Sequence, residues 1–179
     1  NACKPQVKMI ELKLSQGAKP GHGGILPAVK NTTEIAAIRN VPVNTTIISP
    51  PAHTAFSNAE GLVLFLEKLR KLSGGKPIGF KLCIGSKKEF NEICYYIRKV
   101  GIIPDFITID GSEGGTGAAP LEFTDNVGMP LYEALTFASK TLQLYGLKDQ
   151  VKLIAAGKII SGFDILKVLA LGASSCYSA

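Results

Sequence analysis

The sequence lacks the long apolar segments that membrane insertion or secretion requires. A membrane-spanning helix needs about 18 consecutive apolar residues, and the apolar stretch at residues 62–66 is ended at once by Glu67 and Lys68. The first residues, NACKPQVK, do not contain the apolar core of a secretion signal. We therefore expect a cytoplasmic protein, with no membrane contact from this segment.

The residue patterns of metal sites and of common hydrolytic centres are also missing. The four cysteines are widely separated and form no CxxC pair, so we expect reduced thiols rather than disulfides or metal ligands. His22 and His53 lie far apart, and each is expected to be a hydrogen-bonded loop histidine. The sequence shows no Ser–His–Asp set, no paired carboxylates and no nucleotide fingerprint such as GxGxxG. We therefore expect no metal site.

The composition is that of an ordinary folded domain. The chain has 179 residues, of which 46% are hydrophobic and 19% charged, enough to bury a core of its own. The net charge is +6, but the basic residues lie on or beside helix-like segments with acids nearby, which is typical of a solvated surface. We expect one domain over residues 1–179 and no nucleic-acid partner.

Apolar runs that alternate with segments of helical spacing predict an α/β fold with a parallel sheet. The predicted strands are residues 7–14, 47–48, 78–84, 106–109 and 151–155, with 175–178 as a sixth. The predicted helices carry the apolar stripes Leu62/Phe65/Leu66/Leu69, Phe90/Ile93/Cys94/Ile97, Leu131/Leu135/Ala138/Leu142 and Ile165/Val168/Leu169. The pattern alone leaves two architectures open, a closed barrel and a doubly wound open sheet.

Glycines follow most of the predicted strands, most densely in DGSEGGTGAAP, residues 110–120. Glycine costs conformational entropy, so this density implies positive φ or close approach by another group. We expect the amides of Gly114, Gly115 and Gly117, with the Thr116 hydroxyl, to point at an anion or a carbonyl. A bound anion or a flat cofactor would need such a loop.

Lys81 is the most informative single residue. It lies in the strand-like stretch PIGFKLCI, where a lysine must pair with an anion or emerge at the strand end, because unpaired burial is costly. We predict that Lys81 contacts a ligand. Asp110 and Glu113 are either polar contacts of that ligand or caps of their own turn.

Two further segments suggest phosphate binding. In AAGKIISGFD, residues 155–164, Gly157 and Lys158 precede a helix start, as in a barrel phosphate site. Gly172 is predicted to complete that site. The loop AKPGHGGILP, residues 18–27, is either a second ligand loop with Lys19 at its mouth or a long turn with a surface lysine. Flavin mononucleotide (FMN) fits these features, and other phosphorylated ligands stay open.

Five motifs carry a family resemblance. QGAKPGHGGILPAVK, ISPPAH, PIGFKL, DFITIDGSEGGTGAAP and AAGKIISGFD occur in this order, and together they resemble the FMN-binding (β/α)8 barrel domain of glutamate synthase and glutamate synthase-like proteins over essentially the whole chain. The resemblance implies the C-terminal part of a TIM barrel. A whole barrel needs about 250 residues, so we expect about five to six of its eight strands.

The resemblance also implies an activity and roles for residues. In that family reduced FMN delivers hydride to 2-iminoglutarate, formed from 2-oxoglutarate and ammonia, and an electron donor works through a 3Fe-4S cluster. The implied catalytic residue is Lys81, beside the pyrimidine edge of the flavin, where a cation stabilises the reduced ring. The implied flavin and phosphate contacts are Gly114, Gly115, Thr116, Gly157, Lys158 and Gly172. Lys19 and Arg39 are the implied partners of the oxo-acid carboxylates.

The chain departs from the family pattern at two positions of one motif. Glutamate synthases have AKPGEGGQLPG, with a glutamine that contacts 2-oxoglutarate, whereas this chain has Ile25 there and His22 in place of the glutamate. An isoleucine cannot donate that hydrogen bond. The alternatives to a glutamate synthase activity are therefore a flavoenzyme with a different amine or oxo-acid acceptor, and a non-catalytic phosphate- or nucleotide-binding module.

We also expect the chain to be a fragment, with Asn1 and Ala2 left from cloning and the ligands of the cluster following Ala179. An incomplete barrel would bind FMN weakly or not at all and would be inactive alone. It would also present two open strand edges and an exposed apolar interior, so we expect self-association.

Overall fold

Seven strands and five α-helices form in the computed structural model, which describes residues 2–115 and 117–178. The strands are β1 (Ile10–Lys13), β2 (Ile25–Leu26), β3 (Ile47–Ile48), β4 (Ile78–Leu82), β5 (Phe106–Asp110), β6 (Lys152–Ala156) and β7 (Ser175–Tyr177). The helices are α1 (Thr33–Arg39), α2 (Ala59–Leu72), α3 (Lys87–Val100), α4 (Leu131–Leu144) and α5 (Gly162–Ala170).

The chain divides into two units. The larger consists of Asn1–Pro20 together with Ala55–Ala179, and the smaller consists of Gly21–Thr54. In the smaller unit β2 pairs antiparallel with β3, and Thr32 caps the short helix α1 by accepting a hydrogen bond from the amide of Ile35. The prediction of a single domain stays a prediction.

The larger unit contains one five-stranded parallel sheet with the order β1-β4-β5-β6-β7. Within this sheet neighbours follow one another in chain order and the order never reverses. A doubly wound sheet reverses its order at a switch point, whereas a barrel does not. The strand order therefore favours the barrel. The expectation that residues 47–48 belong with the parallel strands is wrong, because β3 pairs only with the antiparallel β2 and Ile48 is 74% exposed.

Helices α2, α3 and α4 cover one face of the sheet and form the core with it. Their predicted apolar stripes are buried or half-buried, and Leu66, Phe90 and Leu142 are 0%, 1% and 0% exposed. Burying one such side chain contributes about 1.5–3 kcal/mol. Each of these helices has 14 residues, and within the described part of the chain no helix is both long and apolar enough to cross a bilayer.

The opposite face of the sheet is largely polar. We call it the concave face and define it by the residues that alternate with the core-facing ones: Glu11, Lys13, Gly79, Lys81, Phe106, Thr108, Asp110, Lys152, Ile154, Ala156, Ser175 and Tyr177. Its large apolar members, Phe106 and Ile154, are only 4% and 7% exposed. The expected exposed apolar interior is therefore wrong. Large apolar side chains are exposed instead on α5, where Phe163 and Leu166 are 69% and 63% exposed.

Candidate functional site at the carboxyl ends of the strands

The loops that follow the parallel strands meet at one edge of the sheet. We call this edge the rim and define it by residues 14–20, 83–86, 111–115, 117–130 and 157–161, which follow β1, β4, β5 and β6. Parallel strands all end on the same side, and ligands of α/β proteins bind there. The predicted site residues are therefore expected at the rim.

Lys81 reaches the rim from β4 and forms an ion pair there. Its Nζ lies 3.1 Å from Oδ2 of Asp110, the last residue of β5. Asp110 is 4% exposed, whereas the Lys81 side chain keeps 21% of its surface accessible. Of the two predicted outcomes, pairing with an anion or emergence at the strand end, the structure shows the pairing, and the anion belongs to the chain itself. The predicted contact of Lys81 with a ligand stays a prediction.

Four rim glycines pack backbone against backbone. A Cβ at Gly17 would lie 1.8 Å from the carbonyl oxygen of Gly111, and one at Gly157 would lie 3.2 Å from the amide nitrogen of Gly111. The amide of Gly114 donates to the carbonyl of Gly111 at 2.8 Å, and the amide of Ala18 donates to the carbonyl of Gly114 at 3.1 Å. Much of the glycine density therefore serves the packing of loop on loop. The Gly114 amide, which was expected to point at a ligand, is used inside its own turn.

Gly115 and Gly117 have open space where a side chain would be. A Cβ at Gly117 would meet no atom within 4 Å, and one at Gly115 would only touch the carbonyl of Glu113 at 3.7 Å. These two glycines leave room for a flat ligand. Thr116, the predicted hydroxyl contact, lies outside the described residues.

Glu113 stabilises a helix. Its Oε1 and Oε2 accept hydrogen bonds from the amide of Leu131 at 3.1 and 3.0 Å, at the N-terminus of α4, where the preceding Pro130 supplies no side-chain cap. A carboxylate is favourable at that end of a helix because it accepts an otherwise unpaired amide and faces the positive end of the dipole. Glu113 therefore caps a helix rather than its own turn, and its predicted contact with a ligand stays a prediction.

The N-terminus of α5 is capped by the chain itself. Ser161 and Asp164 form a capping box, and Oδ2 of Asp164 also accepts from the amide of Ile160 at 3.4 Å. Hydrogen bonds from Ser161 and from Lys167 hold the pKa of Asp164 well below its ordinary range. A phosphate at this helix end would meet that carboxylate. Lys158 is exposed and has a positive φ of 45°.

The predicted place of Gly172 in the phosphate site is wrong. It precedes β7, so it lies at the amino end of the sheet, opposite the rim to which Gly157 belongs. Its carbonyl accepts a hydrogen bond from Nζ of Lys148 at 2.7 Å, and a Cβ there would lie 2.8 Å from Oγ of Ser139. The structure thus separates Gly172 from Gly157 and Lys158, and Gly172 cannot complete their site.

A polar network that the sequence did not suggest lies on the concave face. Glu11 Oε2 accepts hydrogen bonds from Oγ1 of Thr108 at 2.5 Å and from the hydroxyl of Tyr177 at 2.9 Å. Glu11 belongs to β1 and Tyr177 to β7, the two edge strands of the sheet, so the sheet must curl strongly for them to meet. The sequence signal that could have indicated this network is Glu11 itself, a carboxylate between two apolar residues of a predicted strand.

The buried thiol beside the ion pair is inert. Burial raises the pKa of Cys83 to about 12, and the nearby Asp110 carboxylate acts in the same direction. A thiol with such a pKa stays protonated near neutral pH and is a poor nucleophile. Across residues 2–115 and 117–178, no three His, Cys, Asp or Glu side chains come together as metal ligands.

Comparison with known proteins gives the family. A family model described as a conserved region in glutamate synthase matches residues 4–179. The chain belongs to the glutamate synthase family. It is 46% identical over 168 residues to the glutamate synthase large subunit-like protein YerD of Bacillus subtilis (strain 168), which covers 94% of this chain and 32% of that protein. It is 37% identical over 169 residues to the archaeal glutamate synthase (NADPH) of Methanocaldococcus jannaschii, again covering 94% and 32%.

The chain thus spans about a third of the length of these relatives. Among solved structures, it superposes on a double mutant of flavocytochrome b2 with pyruvate bound, with a TM-score of 0.53, 20% identity, and coverage of 95% of this chain and 35% of that one. The likeness shows the fold, which is part of a TIM barrel. The predicted fold class, an α/β partial barrel with about five to six of the eight strands, is therefore confirmed for the described residues, whose parallel sheet has five strands.

The predicted substrate-binding residues of this family member lie in different units. Lys19 is half-buried in the larger unit, and its backbone amide donates to the carbonyl of Gln16 at 3.2 Å. Arg39 is the exposed last residue of α1 in the smaller unit. The roles of Lys19 and Arg39 stay predictions.

The two positions that depart from the family motif are both in the smaller unit. Ile25 begins β2 and is 63% exposed, so it is not held in the unit by burial. His22 is half-buried, and its Nδ1 lies within hydrogen-bonding distance of the carbonyl of Gly23. That contact agrees with the expected loop histidine.

Proposed function

We propose that this chain is the FMN-binding segment of a glutamate synthase-like oxidoreductase. The intact protein would reductively aminate 2-oxoglutarate, through 2-iminoglutarate, to glutamate. The observation that carries the proposal is Lys81 at the rim, whose Nζ lies 3.1 Å from Asp110 and whose side chain keeps 21% of its surface accessible, together with rim glycines that leave open space. Membership of the glutamate synthase family supports the choice of cofactor.

The residues of the rim fit a flavin in kind. When bound, FMN would supply hydride transfer. Lys81 would face the electron-rich pyrimidine edge, where a cation stabilises negative charge. Gly115 and Gly117 would let the flat ring approach the backbone, since a Cβ there meets little or nothing. Asp110 would act through Lys81.

Lys158 and Gly157 are the residues that would hold the phosphate. Lys158 is exposed, and Gly157 has a φ of 118° that favours glycine. The capping box of Ser161 and Asp164 already occupies amides of α5, so we propose that the phosphate depends on Lys158 more than on the helix end.

The complete reaction belongs to a longer protein than this chain. The relatives are about three times as long, and we propose that the electron donor, a 3Fe-4S cluster and the remaining strands lie outside these residues. The chain alone would then be inactive and would self-associate through the unpaired edges of β1 and β7. Its four cysteines are free thiols within the described residues, which supports a reducing, cytoplasmic location.

One observation keeps a second acceptor under consideration. Ile25 stands where the family has a glutamine and is 63% exposed, so it offers an apolar surface and no hydrogen bond. A flavoenzyme that aminates a different oxo acid is the second candidate. A module that binds a phosphorylated ligand without redox chemistry would be the remaining outcome.

The test uses the intact protein that contains this chain. After reduction with dithionite, 2-oxoglutarate and ammonium are added, and glutamate formation and flavin reoxidation are followed; other oxo acids are assayed in parallel. We expect glutamate formation, and at least tenfold less in Lys81→Met. Lys88→Met, which changes an exposed lysine of α3, is the matched control. Bound FMN with turnover only on another oxo acid would favour the second candidate, and absence of FMN would refute the flavin proposal.

A further inference from the structure

Asp110 joins three segments of the rim through one oxygen. Its Oδ2 lies 3.1 Å from Nζ of Lys81 on β4 and accepts a hydrogen bond from the amide of Gly17, after β1, at 3.0 Å. Asp110 itself ends β5 and is 4% exposed. Burying a carboxylate is costly, and such partners offset that cost.

The loop that covers Asp110 can close only because residue 114 is a glycine and has no side chain. A Cβ at Gly114 would lie 2.4 Å from Oδ1 of Asp110, so only glycine lets the loop close over the carboxylate. Gly114 is held there because its amide donates to the carbonyl of Gly111 and its carbonyl accepts from the amide of Ala18. Exclusion of water strengthens the attraction between the carboxylate and the ammonium. The role of Gly114 is therefore to bury Asp110.

Lys81 needs a fixed partner to have a fixed position. A lysine carries its charge on a flexible four-carbon stem and loses much rotamer freedom when it is ordered. The register also places a second cation, Lys13, directly beside Lys81 on the neighbouring strand. Lys13 turns its Nζ toward Oε1 of Gln16 at 2.6 Å, whereas Lys81 turns to Asp110. The two like charges are thereby directed to different partners.

We propose that Asp110 is a positioning residue that holds the Lys81 ammonium at the rim for an anionic or electron-rich ligand edge. One of the three N–H donors of Lys81 faces Asp110, and the side chain keeps 21% of its surface accessible, so the remaining donors are available to a ligand. The inference rests on the proposed function, because FMN is the ligand that supplies such an edge. Asp110 itself makes no ligand contact and acts through Lys81.

The test is a double-mutant cycle on FMN affinity in the intact protein, with FMN as the probe. Asp110→Asn keeps the shape and an acceptor for Gly17 and removes the charge. We expect it to weaken FMN binding about tenfold when Lys81 is present, which is the effect of one hydrogen bond to a charged group. In the Lys81→Met background we expect less than a twofold effect, because the group through which Asp110 acts is gone.

The outcomes separate this inference from the proposed function. If Lys81→Met leaves FMN affinity unchanged, the proposed role of Lys81 fails and this inference fails with it. If Lys81→Met weakens binding but Asp110→Asn weakens it equally in both backgrounds, only the inference is overturned, because Asp110 then acts through Gly17 or touches FMN itself. An Asp110→Asn protein that binds FMN like the wild type also overturns the inference alone.

A measurement on the unmodified protein covers the case in which Asp110→Asn does not fold. In protein labelled with nitrogen-15 in its lysines, nuclear relaxation of Nζ reports how restricted each ammonium is. We expect the Lys81 ammonium to be more restricted than that of Lys88, an exposed lysine of α3. Equal mobility of the two ammonium groups would overturn the inference.

Discussion

Replacing Thr108 by valine tests whether the polar network on the concave face stabilises the barrel segment. The change keeps the approximate shape and removes the hydroxyl, which donates to Glu11 Oε2 at 2.5 Å. Thr108 is 0% exposed, so water cannot replace the lost donor. A hydrogen bond to a charged group contributes about 1.5–3 kcal/mol, and we expect the free energy of unfolding to fall by about 2 kcal/mol. In a chain of this size that corresponds to a fall in Tm of about 4–8 °C.

Tyr177→Phe removes the second donor and should cost less. Tyr177 is 41% exposed, so water partly replaces its hydroxyl, and we expect a loss of about 1 kcal/mol. Tyr132→Phe is the matched control, because Tyr132 is also 41% exposed while its hydroxyl lies 3.4 Å from Oδ1 of Asp164. We expect the control to change the free energy of unfolding by less than about 0.5 kcal/mol.

The assay is urea unfolding followed by far-ultraviolet circular dichroism, since the chain has no tryptophan. Amide hydrogen exchange adds a local measurement: because Tyr177 ties the edge strand β7 to Glu11 on β1, Tyr177→Phe should speed exchange in β7 more than in the central strand β5. A Thr108→Val protein within about 0.5 kcal/mol of wild type, with Tyr177→Phe no different from the control, would refute the reasoning.

Three further predictions concern the rim, a helix cap and the amino ends of the strands. Gly17→Ala should lower the free energy of unfolding by about 3 kcal/mol or prevent folding, because its Cβ would lie 1.8 Å from the carbonyl oxygen of Gly111. Gly117→Ala is the control: no atom lies within 4 Å of its Cβ, so the variant should change stability in urea little. Ser161→Ala should cost about 1 kcal/mol by removing the N-cap of α5, measured as a urea midpoint and contradicted by an unchanged one. Burial opposes ionisation of Asp105, but hydrogen bonds from Arg70 and from the amide of Ile78 hold its pKa below the ordinary value. The stability it contributes is therefore present above about pH 4 and is lost as the pH falls below that, so Asp105→Asn should flatten the urea midpoint between pH 5 and pH 3, and an unaltered pH profile would contradict this.

The central parallel strands could be predicted because each is a short apolar run that is buried. Residues 78–84 and 106–109 include the buried cores of β4 and β5, whose burial on the helix side is set by Phe80 and Ile107, both 0% exposed. The concave face was not predicted, because alternation inside a run such as β1 gives only a few polar positions. The role of Glu11 as a hydrogen-bond acceptor becomes evident only when the fold brings Thr108 and Tyr177, which lie far along the chain, beside it.

The elements of the smaller unit were missed or, as with residues 47–48, assigned to the wrong sheet, for another reason. Helix α1 has seven residues and depends on Thr32 at its start and on Asn40, with a φ of 54°, at its end. So few residues give no resolvable apolar stripe. Strands β2 and β3 have two residues each, and their antiparallel pairing cannot be distinguished from a strand of the parallel sheet by sequence alone.

The rim shows where reasoning from glycine content succeeds and where it fails. The inference that Lys81 needs an anion followed from the cost of burying a charge, and Asp110 supplies that anion at 3.1 Å. The inference that glycines gather only for a ligand was incomplete, because Gly17 and Gly111 pack against each other. A high density of glycine indicates that some group approaches the backbone closely, but it does not identify that group. Gly172 was misplaced because its position before a strand, rather than after one, decides the edge on which it lies.

The ion pair of Lys81 with Asp110 and the close packing of the rim glycines belong to one mechanism. Relative to alanine, each rim glycine costs about 0.5–1 kcal/mol of conformational entropy on folding. The chain would not retain glycines at that cost if the loop could stay open. Closing the loop buries Asp110, a buried Asp110 fixes the ammonium of Lys81, and a fixed ammonium needs no reordering when a ligand arrives. Under the proposed function, the glycines that pack the loop would thus contribute to binding as well. It follows that a side chain added at Gly114, whose Cβ would lie 2.4 Å from Oδ1 of Asp110, should weaken ligand binding through Lys81 even where the fold survives.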